Sequence, residues 1–225
     1  MDQTFESLNE RGYAIARSVI TTEEVAHASE ALQALPTCAG TRNLLEHSWV
    51  QALARQVRRS AVVERAFVSS PVAVQCTLFD KTENQNWLVA LHQDLSIPVS
   101  ARVNHPLLGA WSKKEGQHYV QAPVSLLESL LAVRVHIDDC GPESGPLRVV
   151  PGSHRHGRLV EIDARRLREA LGEVTCSVGA GSALVMRPLL LHASSKASIP
   201  RRRRVLHFLF GPPSLGFGLE WRHAV

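Results

Sequence analysis

The chain has 225 residues, 44% hydrophobic and 20% charged, a balance that excludes a disordered or fibrous protein and allows one good-sized domain or two small ones. No apolar run reaches membrane-spanning length, and the polar start "MDQTFESLNERG" lacks the apolar stretch of a secretory signal, so a cytoplasmic protein with no membrane partner is expected. The formal charge of +4 and the sequence pI near 9.1 are only mildly basic, and aromatic residues make up 5%, which argues against nucleic acid as the partner of the "RRRR" run at 201–204.

The first third reads as helical. "ITTEEVAHASEALQAL" places Thr21 three residues before Glu24, a capping box, followed by Val25, Ala28, Leu32 and Leu35 at helical spacing. "PTCAGTRN" breaks that helix; a second is predicted over 44–57 and a short third near Val63. From residue 72 the pattern changes to short strand-like runs: "VAVQCTLFD", "NWLVALHQDL", "LLAVRVHIDD", "PLRVVPGSH", "SALVMRPLLLHAS" and "RRRVLHFLFG". Gly/Pro turns such as "CGPESGP", "PGSHRHG" and "GAGS" separate them. This predicts a mainly β fold with flanking N-terminal helices, an antiparallel sandwich or barrel with a jelly roll the obvious candidate. The expected plan is a single domain over 1–225, with 1–70 as helical support and 72–212 as the β core. The segment 99–123 is long and irregular in pattern and is expected to be a lid-like insertion. Cys38, Cys76, Cys140 and Cys176 form no C-x-x-C pair and are expected to be reduced and buried.

"ALHQDLSIP" at 90–98 follows the apolar "WLVA" and sets His92 and Asp94 two positions apart in what otherwise reads as a buried strand. Burying an ionisable pair is costly unless something compensates it. Side chains two apart on a strand share a face, so the imidazole and carboxylate can bind one metal ion. A second histidine would complete a two-histidine, one-carboxylate triad, which leaves half of an octahedral iron's positions open. His192, in "RPLLLHASS", fits: it ends an apolar strand, and small residues follow it. Iron of this type activates oxygen with an organic acid as co-reductant, and a dicarboxylate needs a cation at its far end. Arginine suits, because it stays charged and grips a carboxylate with two parallel hydrogen bonds. The arginine run starts nine residues after His192.

These motifs resemble the phytanoyl-CoA dioxygenase family of Fe(II)/2-oxoglutarate-dependent oxygenases. The matching residues are "HQD" at 92–94, "GPLRVVPGSH" at 145–154, and "HASS" at 192–195 followed by "RRRVLHF" at 202–208. The resemblance covers roughly 72–212. It implies a double-stranded β-helix, Fe(II) held by His92, Asp94 and His192, and 2-oxoglutarate as cosubstrate. The cosubstrate arginine, eleven residues after the distal histidine, would be Arg203; Arg201 is the alternative by strand parity, and Arg202 and Arg204 should face outward. Ser194 matches a hydroxyl that helps hold the same carboxylate, and Gln75 a polar position that contacts the cosubstrate. Lys81 is near enough in sequence to contribute. The implied activity is hydroxylation or desaturation of a small molecule with O2, releasing succinate and CO2. Halogenation is disfavoured because Asp94 is present.

In one place the chain departs from the family pattern. A pocket position often aromatic is here "VRVHIDD", where Arg134 and His136 share a face. An inward Arg134 would suit an acidic substrate or the cosubstrate; the alternative is a structural pair with Asp138. "PGSH" is expected to set a turn, with His154 and His156 outside the metal site, and Trp87 and Trp111 to pack in the core or lid. The rival to the oxygenase is a metal-binding cupin-like protein without oxygenase activity, from which Arg203 discriminates.

Overall fold

The computed structural model describes residues 3–35, 40–199 and 201–225, so Cys38 lies outside the described residues. The N-terminal part holds α1 (Gln3–Arg11), β1 (Tyr13–Ala16), α2 (Thr22–Gln33), β2 (Gly40–Thr41), a 3-10 turn (Leu44–Glu46), α3 (Ser48–Arg58) and α4 (Ala61–Arg65). There follow β3 (Val72–Lys81), β4 (Val89–His92), β5 (Ser96–Val99), β6 (Gly109–Lys114), β7 (Gln117–Gln121), α5 (Val124–Glu128) and β8 (Leu131–His136). The last part is β9 (Leu147–Val149), α6 (Glu161–Leu171), β10 (Val174–Cys176), β11 (Ala183–Met186), β12 (His192–Ser194) and β13 (Arg203–Gly211). Among the described residues no helix is long and apolar enough to cross a membrane.

The strands form a six-stranded sheet in the order β1-β11-β8-β13-β3-β2, a four-stranded sheet β10-β9-β12-β4, and a three-stranded sheet β5-β7-β6. Residues from all three line one cavity, so the two larger sheets face each other as the layers of a jelly roll. Strand alternation divides the labour within the six-stranded sheet. Cys76 and Leu78 on β3 and Leu206, Phe208 and Phe210 on β13 pack outward with Leu32, Val50 and Leu53 of the helices. Gln75, Thr77 and Phe79, with Arg203 and His207, turn to the inner face and line the cavity. The sheet thus shows its apolar face to helices and its polar face to the interior, the reverse of a strand open to water on one side.

α2 forms as predicted. Thr21 Oγ1 accepts from Glu24 N at 3.1 Å, and Glu24 Oε2 accepts from Thr21 N at 2.7 Å. Its middle covers the outer face of β13, where Arg204 donates to Ser29 O at 3.1 Å and to both Asp138 oxygens at 2.7 and 2.9 Å. Arg204 therefore faces outward, as parity requires, yet lies buried under the helix rather than in solvent. Arg202 donates to Asp80 at 2.9 Å.

Several local expectations are corrected. The segment 99–123 is irregular only in part: 100–108 hold no strand, whereas 109–114 and 117–121 make the hairpin β6–β7, which joins β5 in a three-stranded sheet. The hairpin turns at Glu115 and Gly116, with φ of 48° and 79°, the positive values of a tight two-residue turn. β4 is not a buried strand but the edge of its sheet, with half-exposed residues. His192 does not end an apolar strand; it opens the short β12 after a turn at 187–190. β1 falls within the region read as helical, and α6 lies where no helix was expected. Cys76, Cys140 and Cys176 are buried free thiols.

Candidate metal centre and its pocket

β12 sits between β9 and β4 and brings His192 directly opposite His92, with their rings 4.1 Å apart. Asp94 lies beyond the end of β4, so strand alternation does not place it. It is held instead by its own N–H, which donates to Pro188 O at 2.9 Å, and by its neighbour Gln93. Gln93 Nε2 donates to Leu189 O at 2.7 Å and Gly157 O at 2.8 Å, and its Oε1 accepts from Leu159 N at 2.9 Å. With Gln93 committed to the protein interior, the chain carries Asp94 back towards both imidazoles.

His92 Nε2 lies 3.7 Å from one Asp94 oxygen and His192 Nε2 3.8 Å from the other, too far for hydrogen bonds. Each imidazole spends its Nδ1 on a backbone carbonyl two residues back, Ala90 O at 2.8 Å and Leu190 O at 2.9 Å. That contact places the proton on Nδ1 and leaves Nε2 with a free electron pair. Asp94 Oδ2 is buried and accepts no hydrogen bond. Three donors within 4.8 Å of one another thus have nothing to bind, and a nitrogen and oxygen set of this kind fits a divalent transition ion such as iron. Burial pushes the His192 pKa down to about 4, which keeps the imidazole neutral for ligation. Burial opposes ionisation of Asp94, but the surrounding imidazoles and the Arg134 guanidinium outweigh it and lower its pKa.

The cavity has a volume of about 350 Å³, the size of a small-molecule site. Arg203 and Lys81 stand opposite each other on β13 and β3, only 3% and 1% exposed. Arg203 Nη1 donates to Gly145 O at 3.2 Å and its Nε is buried without a partner; Lys81 Nζ donates to Ser195 O at 2.6 Å. Burial and then the nearby Arg203 charge push the Lys81 pKa down to about 8. Arg203 lines the cavity and Lys81 lies beside it, two buried cations with no carboxylate between them, an arrangement suited to an anion.

Arg203, Ser194, Gln75 and Arg134 all line the cavity. Gln75 Nε2 donates to Thr77 Oγ1 at 2.7 Å. Arg201 is exposed and does not line it. Arg134 does not pair with Asp138, whose carboxylate serves Arg204; its Nη1 bonds His207 Nδ1 at 2.8 Å. His136 is buried but does not line the cavity; its Nδ1 has no partner, and burial pushes its pKa down to about 3. Neither His154 nor His156 joins the triad. Trp87 lines the cavity, 5.6 Å from Lys81 Nζ, and Trp111 packs with the apolar cluster around the three-stranded sheet. Sequence reasoning passed over His207, Thr77 and Phe79, although the parity that selects Arg203 and Gln75 also puts them on the inner face. Tyr119 also lines the cavity, from a hairpin whose polar sequence hid the strand signal.

Free electron pairs gathered at one end of a jelly-roll cavity, with an anion receptor on its wall, define a non-haem iron, 2-oxoglutarate-dependent dioxygenase. The phytanoyl-CoA dioxygenase (PhyH) family matches residues 8–205, and the chain belongs to that family. Its fold is shared by HygX from Streptomyces hygroscopicus, crystallised with nickel and 2-oxoglutarate (TM-score 0.68, 19% identity, 99% of this chain and 90% of that one). AviO1 from Streptomyces viridochromogenes Tue57 is similar (TM-score 0.64, 20% identity, 94% and 95%), as is EctD from S. alaskensis, crystallised with 2-oxoglutarate and 5-hydroxyectoine (TM-score 0.69, 17% identity, 94% and 76%). No curated protein matches the chain in sequence.

Proposed function

We propose that this chain, acting as a single cytoplasmic oxygenase domain, hydroxylates a C–H bond of a small molecule with O2 and releases succinate and CO2. The observation that carries the reading is the pairing of a metal-ready triad with buried Arg203, which has no carboxylate partner, in one cavity, with Lys81 beside Arg203 in the sheet though not in the cavity lining. His92, Asp94 and His192 hold Fe(II). Arg203 grips the distal carboxylate of 2-oxoglutarate, Ser194 and Lys81 add hydrogen bonds to it, and Gln75 contacts the cosubstrate further along the inner face. When bound, iron and 2-oxoglutarate would supply the oxidising chemistry; the protein would orient the reactants and keep water out. Free buried thiols support the cytoplasmic placement.

The test is anaerobic addition of Fe(II) and 2-oxoglutarate to the metal-free protein, followed by the weak visible charge-transfer band of the chelate. Wild type is expected to show the band, Asp94→Ala to lose it, and Arg203→Ala to need about tenfold more 2-oxoglutarate or beyond. No band with both components present would leave a metal-binding jelly roll and end the oxygenase reading.

A further inference from the structure

We propose that the substrate of this site carries an oxyanion, a carboxylate or a phosphate, held between Arg134 in the six-stranded sheet and Lys114 with Tyr119 in the three-stranded one. The inference deepens the oxygenase reading and rests on it. It begins with charge. Arg42, Lys114, Arg134 and Arg203 bring fixed positive charge to the cavity lining, and Asp94 is the single carboxylate there. Arg42 is matched by Glu115 at 2.9 Å. Ferrous iron brings two positive charges, Asp94 removes one and 2-oxoglutarate two, so Arg203 already balances the set and Lys81 beside it adds to the positive excess. Arg134 and Lys114 are left without an acidic partner among the described residues.

Arg134 is 6% exposed. Its partners are the neutral His207 imidazole at 2.8 Å and the Phe79 ring, 5.0 Å away. A guanidinium has five N–H donors, and leaving a buried one without a counter-ion is strongly unfavourable. In the sheet register Arg134 faces His207, whereas Arg203 faces Lys81. Arg203 and His207 are four residues apart, roughly 13 Å along the strand, so Arg134 arises at a different depth of the cavity from the cosubstrate clamp. By donating to His207 Nδ1, Arg134 also fixes that ring with its proton on Nε2, a second, neutral donor on the same wall.

A further part of the lining comes from the β6–β7 hairpin, in a different sheet from Arg134. The Tyr119 hydroxyl is buried without a hydrogen-bond partner, in a residue only 2% exposed, and Lys114 Nζ lies 5.1 Å from its ring. The hairpin is not a free loop. Glu115 accepts from both the Arg42 backbone and its guanidinium, at 2.8 and 2.9 Å, and Gln117 bonds Asn43. Arg134, Lys114 and Tyr119 therefore bring donors to one cavity in which Asp94 is the single carboxylate among the described lining residues, which suits an anionic, oxygen-rich molecule and disfavours a cationic one.

The experiment uses protein loaded with nickel and 2-oxoglutarate and titrates it calorimetrically with glucose, glucuronate and glucose 6-phosphate, a neutral, a carboxylate and a phosphate probe of one size. At least one anion is expected to bind about tenfold more tightly than glucose, and which one does so distinguishes carboxylate from phosphate. Arg134→Met should remove that preference and Lys114→Met should weaken it several-fold, both with 2-oxoglutarate affinity kept within about twofold. Lys114 is partly exposed, so its variant gives a reading even if Arg134→Met fails to fold. Anions that bind no better than glucose would overturn the proposal. So would an Arg134→Met protein that keeps the preference but loses 2-oxoglutarate, since Arg134 would then belong to the cosubstrate. Failure of wild type to take up nickel and 2-oxoglutarate would instead overturn the oxygenase reading; comparing the Arg134→Met and Arg203→Met variants on metal-free protein would then still decide where the anion binds.

Discussion

Gln93 sits between two metal-ligand candidates and commits its amide to the protein, and its three hydrogen bonds with Leu189, Gly157 and Leu159 aim Asp94. Gln93→Leu keeps the volume and removes those bonds. It is expected to weaken metal binding by about 10- to 100-fold, the usual cost of losing a group that orients a ligand, in a fluorescence or calorimetric titration. An unchanged affinity would show that the Asp94 N–H bond to Pro188 holds the carboxylate by itself. Lys81 makes a second prediction, on pH. Its pKa is pushed down to about 8 by burial and the adjacent Arg203, and a bound carboxylate would raise it again. Binding of 2-oxoglutarate then takes up a proton above pH 8, so affinity should fall as pH rises past 8, by up to about tenfold per unit. Lys81→Arg, charged throughout, should flatten that dependence. The triad was legible in the sequence because histidine and aspartate are costly to bury without a reason. The reason given for their convergence, strand parity, held for the partners of Arg203 but not for Asp94, which reaches its place through turn and side-chain bonds that no periodicity records.

At the level of elements, the turn before β9 connects two halves of the anion receptor. Gly145 has φ 63°, and a Cβ there would come within 2.6 Å of Ser195 O. Its carbonyl accepts from Arg203, while Ser195 O accepts from Lys81. Gly145→Ala is therefore expected to cost about 1–3 kcal/mol of stability through backbone strain and to weaken 2-oxoglutarate, read from the melting temperature with and without the cosubstrate. A loss of stability with full cosubstrate affinity would separate the turn from the site. The sequence shows this turn plainly, because "GPESGP" is glycine and proline chemistry. It shows α6 poorly. That helix buries Ala164 fully and Leu167 in part, against Leu91 and Val150, and leaves Ile162 and Leu171 exposed, so its apolar stripe is too narrow to announce it. The hairpin β6–β7 escaped for another reason: β6 is largely exposed and polar, and only Lys114 and Tyr119 of the hairpin line the cavity, so no apolar alternation marks its strands.

For the molecule as a whole, burying polar side chains has a cost in acid. Burial drives the pKa of His136 and of His207 to about 3 and that of His192 to about 4. All three lie below the ordinary value near 6.5, so the unfolded chain binds protons that the folded one refuses. Stability is full above pH 6.5 and is lost as pH falls from there towards 4 and 3. Metal-free protein should show a melting temperature that drops steadily below pH 6.5, and His136→Gln should make the drop shallower without touching the cavity. A flat profile down to pH 4 would mean that these rings find compensating partners once protonated.

The placement of β4 at the rim of the four-stranded sheet gives the two halves of the triad unequal permanence. His192, at 3% exposure, is anchored between two strands, whereas the His92 side chain is 39% exposed on a strand with one neighbour. Peeling that single strand carries away His92 and leaves in place His192 and Asp94, which is tied to Pro188 and flanked by the anchored Gln93. An ion at the triad would then act as a staple on an otherwise fraying hem, and its escape would be timed by a local opening rather than by unfolding of the whole chain. Hydrogen exchange should register this directly: adding nickel slows the amides of Val89–His92 while those of β13 stay slow with or without it. Equal slowing across both strands would mean that the edge opens only when everything does.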